Sequence, residues 1–302
     1  MKWRKAGNIF TPNGDKDWAQ SHASVPIADH ISGNIFRIYY TSRDIRNRSH
    51  VGWFEIDIEE PNIILAEANK PILAPGKVGT FDMDGVMASS LVRHNKEKRL
   101  YYIGWNKSIG VPFHNSIGLA VQAEPNGIFE RFSDGPILDR NPSDPYFVAS
   151  HDVVVDTECW HIWYLSGLNW LPGEPPTSTY NLRHAKSSDG INWLCNGTVA
   201  VDFFQPNEIA IACPSVVKDE DFWRMWFCFR GSNFNYRLGY AESRDAMNWK
   251  RRDEEAGITV SESGWDSEMI CYPHIFDHGD KRFMLYNGNG HGQTGIGLAI
   301  LD

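Results

Sequence analysis

The sequence predicts an all-β protein built as a five-bladed β-propeller with four antiparallel strands per blade. Three observations carry this: a motif recurring about every sixty residues, four strand-like segments in each recurrence, and no segment with helical periodicity.

The motif is a run of small residues, a polar turn, then a basic residue or histidine opening an aromatic strand. It reads SVPIADHISGNIFRIYYTSRD (24–44), SSLVRHNKEKRLYYIGWN (89–106), SHDVVVDTECWHIWYLSG (150–167), CPSVVKDEDFWRMWFCFRG (213–231) and YPHIFDHGDKRFMLYNGN (272–289). Its anchors Pro26, Ser90, His151, Pro214 and Pro273 lie 64, 61, 63 and 59 residues apart. A third segment rich in Gly and small residues follows each time: HVGWFEID, SIGLAVQ, LRHAKSSDGINW, RLGYAESRDAMNW and GIGLAILD. A weaker fourth follows the first four: IILAEANKPIL, IFERFSDGPIL, TVAVDF and ITVS. Alternating patterns bounded by Gly, Asp and Asn are hairpin chemistry, with Asp189-Gly190 and His278-Gly279 as turn signals. The sequence stops at Asp302, right after the third segment of the fifth unit, while KWRKAGNIFTP near the start resembles the fourth-strand text FERFSDGPILDR. The expectation is that this amino-terminal strand completes the fifth blade and closes the ring, making residues 1–302 a single domain without a linker.

Composition narrows the function classes. Hydrophobic residues at 42% and charged residues at 22% are those of a folded chain. With 38 acidic against 29 basic side chains the formal charge is −9, which argues against a nucleic-acid partner. No apolar run reaches the roughly 18 residues of a membrane span, and MKWRKAGNIF lacks the apolar core of a secretory signal. The cysteines, Cys159, Cys195, Cys213, Cys228 and Cys271, are odd in number, widely spaced and without CxxC, so free thiols in the cytoplasm are expected. No HxH or HExxH spacing supports a metal. The Gly-rich NGNGHGQTG is too irregular for a phosphate loop and lacks a following helix, so no cofactor is expected. Aromatic residues at 13% suit sheet faces and the stacking of sugars. Oligomeric state is left open.

In a propeller the first strand of each blade lines a central funnel, and the loops before these strands open on one face. Acids recur there: Asp82 and Asp84, Asp144, Glu208, then Asp266 and Glu268. Two convergent carboxylates are what glycosidic cleavage needs, one protonating the leaving oxygen while the other activates water or attacks carbon.

Across its full length the chain resembles the five-bladed propeller glycosidases of the arabinanase, levansucrase and invertase type, and in particular an uncharacterised subgroup of them. The text that carries this is HASVP, NRSHVG, FDMDGVMASS, DPYFVAS, EIAIACPSV, GYAESRDAMNW, and WDSEMICYP followed by MLYNGNGHG. The resemblance implies a propeller with a sugar or oligosaccharide as its small-molecule ligand. Three positions depart from the family pattern. Val25 stands where those glycosidases carry an Asp before the blade-one Pro, Ala212 where they carry the acid Glu, and nothing near Ser89-Ser90 matches their blade-two Asp.

Acids occur slightly earlier instead. Asp84 and Glu208 lie six residues before their anchors and Glu268 five before Pro273; even offsets keep the same strand face. The expected catalytic set is therefore Glu268 as general acid, Asp84 as base or nucleophile, and Glu208 beside them, against the alternative that Asp82 and Asp84 merely hold their loop. The expected sugar-binding set is His22, Arg48, Arg140, His151, Arg230, Tyr272, Asn287, Asn289 and His291, with Arg43 at an equivalent blade edge and Trp105 and Trp170 as stacking surfaces. Structural histidines and fold-holding salt bridges are the competing assignment for these. The expected function is a glycoside hydrolase-like enzyme using carboxylate acid/base catalysis in the funnel. A catalytically inactive glycan-binding propeller, and a sugar transferase or phosphorylase in which Arg and His hold a phosphate, are the alternatives.

Overall fold

The computed structural model describes residues 1–123, 127–157 and 159–302. Glu158, which falls within the third recurrence of the motif, lies outside the described residues.

The chain opens with β1 (Trp3–Phe10) and then forms five antiparallel meanders. The first is β2 (Ser21–Ser32), β3 (Ile35–Arg43), β4 (Ser49–Asp57) and β5 (Ile64–Glu67); the second is β6 (Gly85–His94), β7 (Glu97–Lys107), β8 (Phe113–Gln122) and β9 (Glu130–Arg131). The third is β10 (Val148–Val155), β11 (Trp160–Leu171), β12 (Thr177–Ser187) and β13 (Val199–Val201); the fourth is β14 (Glu208–Lys218), β15 (Trp223–Gly231), β16 (Arg237–Ser243) and β17 (Lys250–Arg251). The fifth holds β18 (Cys271–His278), β19 (Lys281–Asn287) and β20 (Ile296–Leu301), and its fourth strand is β1. Trp3 pairs opposite Leu301 and Phe10 opposite Ile296. Single parallel contacts, Ser49 with Gly85 and Tyr180 with Ala210, join the first two meanders and the next two into eight-stranded sheets.

The doubled aromatics explain the packing. Neighbouring residues on a strand point to opposite faces, so Tyr39 enters one inter-sheet core and Tyr40 another, as do Tyr102 and Tyr101 or Trp163 and Tyr164. Glycines on the third strands answer aromatic side chains from the second strands and the loops. A Cβ on Gly118 would lie 2.3 Å from the Tyr102 ring and 2.7 Å from Phe81, and one on Gly297 would lie 2.3 Å from Trp265.

The first strands pack side by side in the order β2, β6, β10, β14, β18, and β18 packs in turn on β2. A small polar group spans each step. Thr41 Oγ1 accepts from the Ala88 amide, Ser90 Oγ donates to Asp152, Ser150 Oγ accepts from the Cys213 amide, and Ser215 Oγ from that of Ile275. Asn287 closes the sequence by accepting from the Val25 amide (2.9 Å). Ser90 also accepts from the Val153 amide at 3.1 Å. Ser90→Ala is therefore expected to lower unfolding free energy by about 1–2 kcal/mol, because a buried donor and acceptor each lose a partner; urea denaturation checks it.

Every first strand breaks register with its neighbour around the repeat anchor: between Ser24 and Ile27, Ala88 and Ser90, Val148 and His151, Ala212 and Ser215, and Cys271 and His274. Such bulges re-aim side chains and concentrate beside functional sites. At three of them the residue before proline takes a left-handed φ: Val25 (51°), Cys213 (49°) and Tyr272 (54°). That conformation is costly for residues with a Cβ.

Candidate functional site

The recurrent acids before the first strands turn out to hold the fold. Asp82 accepts from Tyr102 Oη (3.1 Å) and pairs with Arg131 of β9 (2.8 Å). Asp144 accepts from Tyr164 Oη (3.0 Å) and pairs with Arg183 (3.1 Å), and Asp266 accepts from Tyr286 Oη (3.1 Å) and pairs with Lys5 of β1 (2.6 Å). All three carboxylates are buried. Burial first, and the adjoining carboxylate second, push the pKa of each tyrosine up. In the fourth meander Phe227 replaces the tyrosine, and the longer Glu208 reaches Arg251 of β17 instead, at 2.7 and 3.2 Å. Its carboxylate is 1% exposed.

The three expected catalytic carboxylates have different surroundings. Glu208 is held in a buried ion pair with Arg251. Asp84 is half-buried at the rim, its carboxylate accepting from the Lys107 amide (2.8 Å). Glu268 is exposed, its amide donating to Asn289 and its carbonyl accepting from Arg237; its carboxylate has no hydrogen-bond or ion-pair partner among the described residues.

What gathers around one cavity mouth is basic and aromatic. A cavity of about 380 Å³ is lined by Ser24, Arg43, Asn47, Trp105, Phe113 and Tyr272, with Lys107 and Asn115 at its side, and carries no Asp or Glu among the described residues. Tyr272 leads from it to a second group. The Tyr272 and His291 rings are 6.3 Å apart, Tyr236 and His291 5.8 Å, and Tyr236 and Tyr272 6.2 Å. The Arg230 guanidinium lies 6.0 and 5.8 Å from the Tyr180 and Tyr236 rings, whose hydroxyls are 2.5 Å apart. His22 stands beside Ser21, with Arg43 and His291 close enough to act on its charge.

Electrostatics report the same excess of positive charge. Burial, then Arg43, then His291 lower the His22 pKa to about 4. His291 keeps an accessible edge, yet burial of its packed face, with Arg43 and Arg230, also lowers its pKa. Both imidazoles are thus neutral at pH 7 and able to donate or accept one hydrogen bond at each nitrogen. His22 (φ 65°), Asn47 (61°), Tyr272 and His291 (59°) all hold left-handed backbones around this mouth.

The cluster thus contains His22, Arg230, Tyr272 and His291 from the expected binding set, together with Arg43 and Trp105. The others are placed elsewhere by identifiable contacts. Arg48 pairs with Asp44 (2.8 Å) within its own turn. His151 is buried, bonded to the Ala149 carbonyl (2.9 Å) and edge-on to Tyr101, and burial lowers its pKa to about 4. Asn287 is consumed by Val25, Ala23 and Gly295, and Asn289 organises the Glu268 loop through the Glu268 and Met269 amides. Arg140 is exposed and outside the cavity lining. Trp170 packs on Phe113 and Phe147.

Tyr180, Tyr236, Asn115 and Lys107 were not singled out from the sequence, and register supplies the missing signal. Taking the third-strand residue opposite each repeated aromatic (Gly52, Gly118, Arg183, Gly239), the residue three earlier is Ser49, Asn115, Tyr180 or Tyr236. Ser49 and Asn115 line the cavity, and Tyr180 and Tyr236 form the group around Arg230. Asp152 was also missed. It joins the second, third and fourth meanders through Ser90 and the Val216 amide, and burial pushes its pKa up to about 6.

No family model matches the chain. It is 42% identical, over 302 residues and the full length of both partners, to the uncharacterised proteins MT1551 and Rv1502 of Mycobacterium tuberculosis. Among solved structures it is similar to a BT0996 RGII complex (TM-score 0.77, 16% identity, 99% of this chain and 91% of that one). It is similar also to a thermostable family-43 glycoside hydrolase (0.70, 17%, 96% and 92%) and to an exo-1,5-α-L-arabinanase from a bovine ruminal metagenomic library (0.65, 12%, 92% and 92%). These likenesses establish an all-β fold of the glycoside hydrolase β-propeller kind.

Proposed function

The protein belongs to the family of these two mycobacterial proteins, and from its fold and cavity we propose that it is a glycoside hydrolase-like propeller that binds a sugar or oligosaccharide in a central funnel. The strand pairing supports five blades closed by β1, because each first strand packs on the next and β18 returns to β2. One observation carries the functional reading: the cavity of about 380 Å³ between the first two meanders and the start of β18 presents Trp105, Phe113 and Tyr272 beside Asn47, Asn115 and Arg43. Aromatic faces with a few polar groups are the lining that a sugar ring needs, and the volume is that of a small-ligand site.

Binding without cleavage is the leading form of this proposal, since no carboxylate among the described residues lines the cavity. A second form is hydrolysis with Asp84 as base or nucleophile and Glu268 as general acid. It is favoured by the seat of Asp84 on the backbone of Lys107, a cavity residue. Calorimetry against a panel of oligosaccharides is expected to show binding that Trp105→Ala removes. Asp84→Asn and Glu268→Gln are expected to bind as the wild type does. Release of aryl glycosides by the wild type, reduced about 10²–10⁴-fold in either variant, would replace the first form by the second.

A further inference from the structure

Resting on the reading that a sugar occupies the funnel, we propose that this sugar carries an anionic group, phosphoryl or carboxylate, seated between Arg43 and Arg230 and completed by His22, His291 and the Tyr180 and Tyr236 hydroxyls.

Most arginines near the loops and outer strands meet an acid: Arg48 meets Asp44, Arg131 meets Asp82, Arg183 meets Asp144 and Arg251 meets Glu208. Arg43 and Arg230 make no ion pair among the described residues. Arg43 donates to the neutral Asn47 (3.1 Å), and the half-buried Arg230 faces two phenol rings. A guanidinium withdrawn from water without a counter-charge is expensive. Two such groups around one mouth, in a chain of net charge −9, are a feature that folding alone does not require.

His291 lies within the electrostatic reach of both arginines and His22 within that of Arg43. Among the described residues the cavity lining includes Lys107 and no acid. A second repeat relation sharpens the assignment. Arg43, Trp105 and Arg230 each stand three residues beyond the aromatic that faces the third-strand glycine (Tyr40, Tyr102, Phe227). The blades thus offer cation, stacking surface and cation at equivalent places around the mouth. A guanidinium fork matches two oxygens of one anionic group, and phenol and imidazole N–H or O–H groups bind the remainder.

The test is calorimetric titration of the full-length protein with glucose 1-phosphate, glucuronate, glucose and inorganic phosphate, at 50 and 200 mM salt. An acidic sugar is expected to bind at least about 10-fold more tightly than glucose, with affinity falling as salt rises. Arg43→Gln and Arg230→Gln are each expected to weaken acidic-sugar binding about 10- to 100-fold, and to weaken glucose binding by less than about 3-fold, so that the preference for the acidic sugar collapses. Arg230→Lys serves as the second variant if Arg230→Gln fails to fold. Preference for the phosphate over the uronate, or the reverse, identifies the group. Equal binding of acidic and neutral sugars, lost in Trp105→Ala, overturns the anionic site and leaves the sugar reading standing. Arginine-dependent binding of inorganic phosphate with no sugar bound supports the anionic site and overturns the sugar reading. Absence of binding by all four probes at millimolar concentration overturns the anionic site.

Discussion

Deletion of residues 1–12 is expected to abolish the cooperative fold or lower its melting temperature by about 10 °C or more. The segment buries Trp3, Ile9 and Phe10, and large-to-small changes at such positions cost about 2–5 kcal/mol each. Their sum approaches the roughly 5–15 kcal/mol that separates folded from unfolded protein. The deletion also strips β20 of its partner and leaves Asp266 buried without Lys5. Differential scanning calorimetry measures the change. A melting temperature within about 2 °C of the intact chain would mean that the fifth meander is stable with three strands.

The next largest effect is expected at the Glu208–Arg251 pair. Removing one partner of a buried ion pair strands the other, at a cost of about 3–5 kcal/mol. Arg251→Met should show this in urea denaturation, and the double variant with Glu208→Leu should recover part of the loss, because the buried Glu208 charge is gone while Asp253 still lacks Arg251. Glu208→Gln should lower stability while sugar affinity in the funnel stays as in the wild type. A catalytic Glu208 would behave in the opposite way, with stability preserved and turnover lost.

The repeat made the fold legible. Anchors at Pro26, Ser90, His151, Pro214 and Pro273 coincide with the five bulged first strands. The likeness of KWRKAGNIFTP to fourth-strand text is chemically meaningful, since Lys5 meets Asp266 as Arg131 meets Asp82. The site was less legible because recurrence of a residue type does not say which face it serves. Asp82, Asp144 and Asp266 recur for the sake of a tyrosine twenty residues on and a base on a distant strand, contacts no local window displays. Arg43 and Arg230 look like any surface arginine until their lack of an acid partner is seen. Asn287 sits in a Gly-rich turn of binding-loop appearance, yet its amide is spent on Val25, Ala23 and Gly295.

The β1–β20 seam also sets a timetable for biosynthesis. Asn8 and Thr294, which bond across it, are separated by 286 positions in the chain. At about 5–20 residues per second, β1 leaves the ribosome roughly 15–60 s before its partner is made. The four intervening meanders can dock on one another as they emerge, while the apolar side of β1 waits in solvent. Nascent chains stalled short of residue 296 should therefore be protease-sensitive at their amino terminus and bound there by chaperones, and both properties should vanish once the last strand is released.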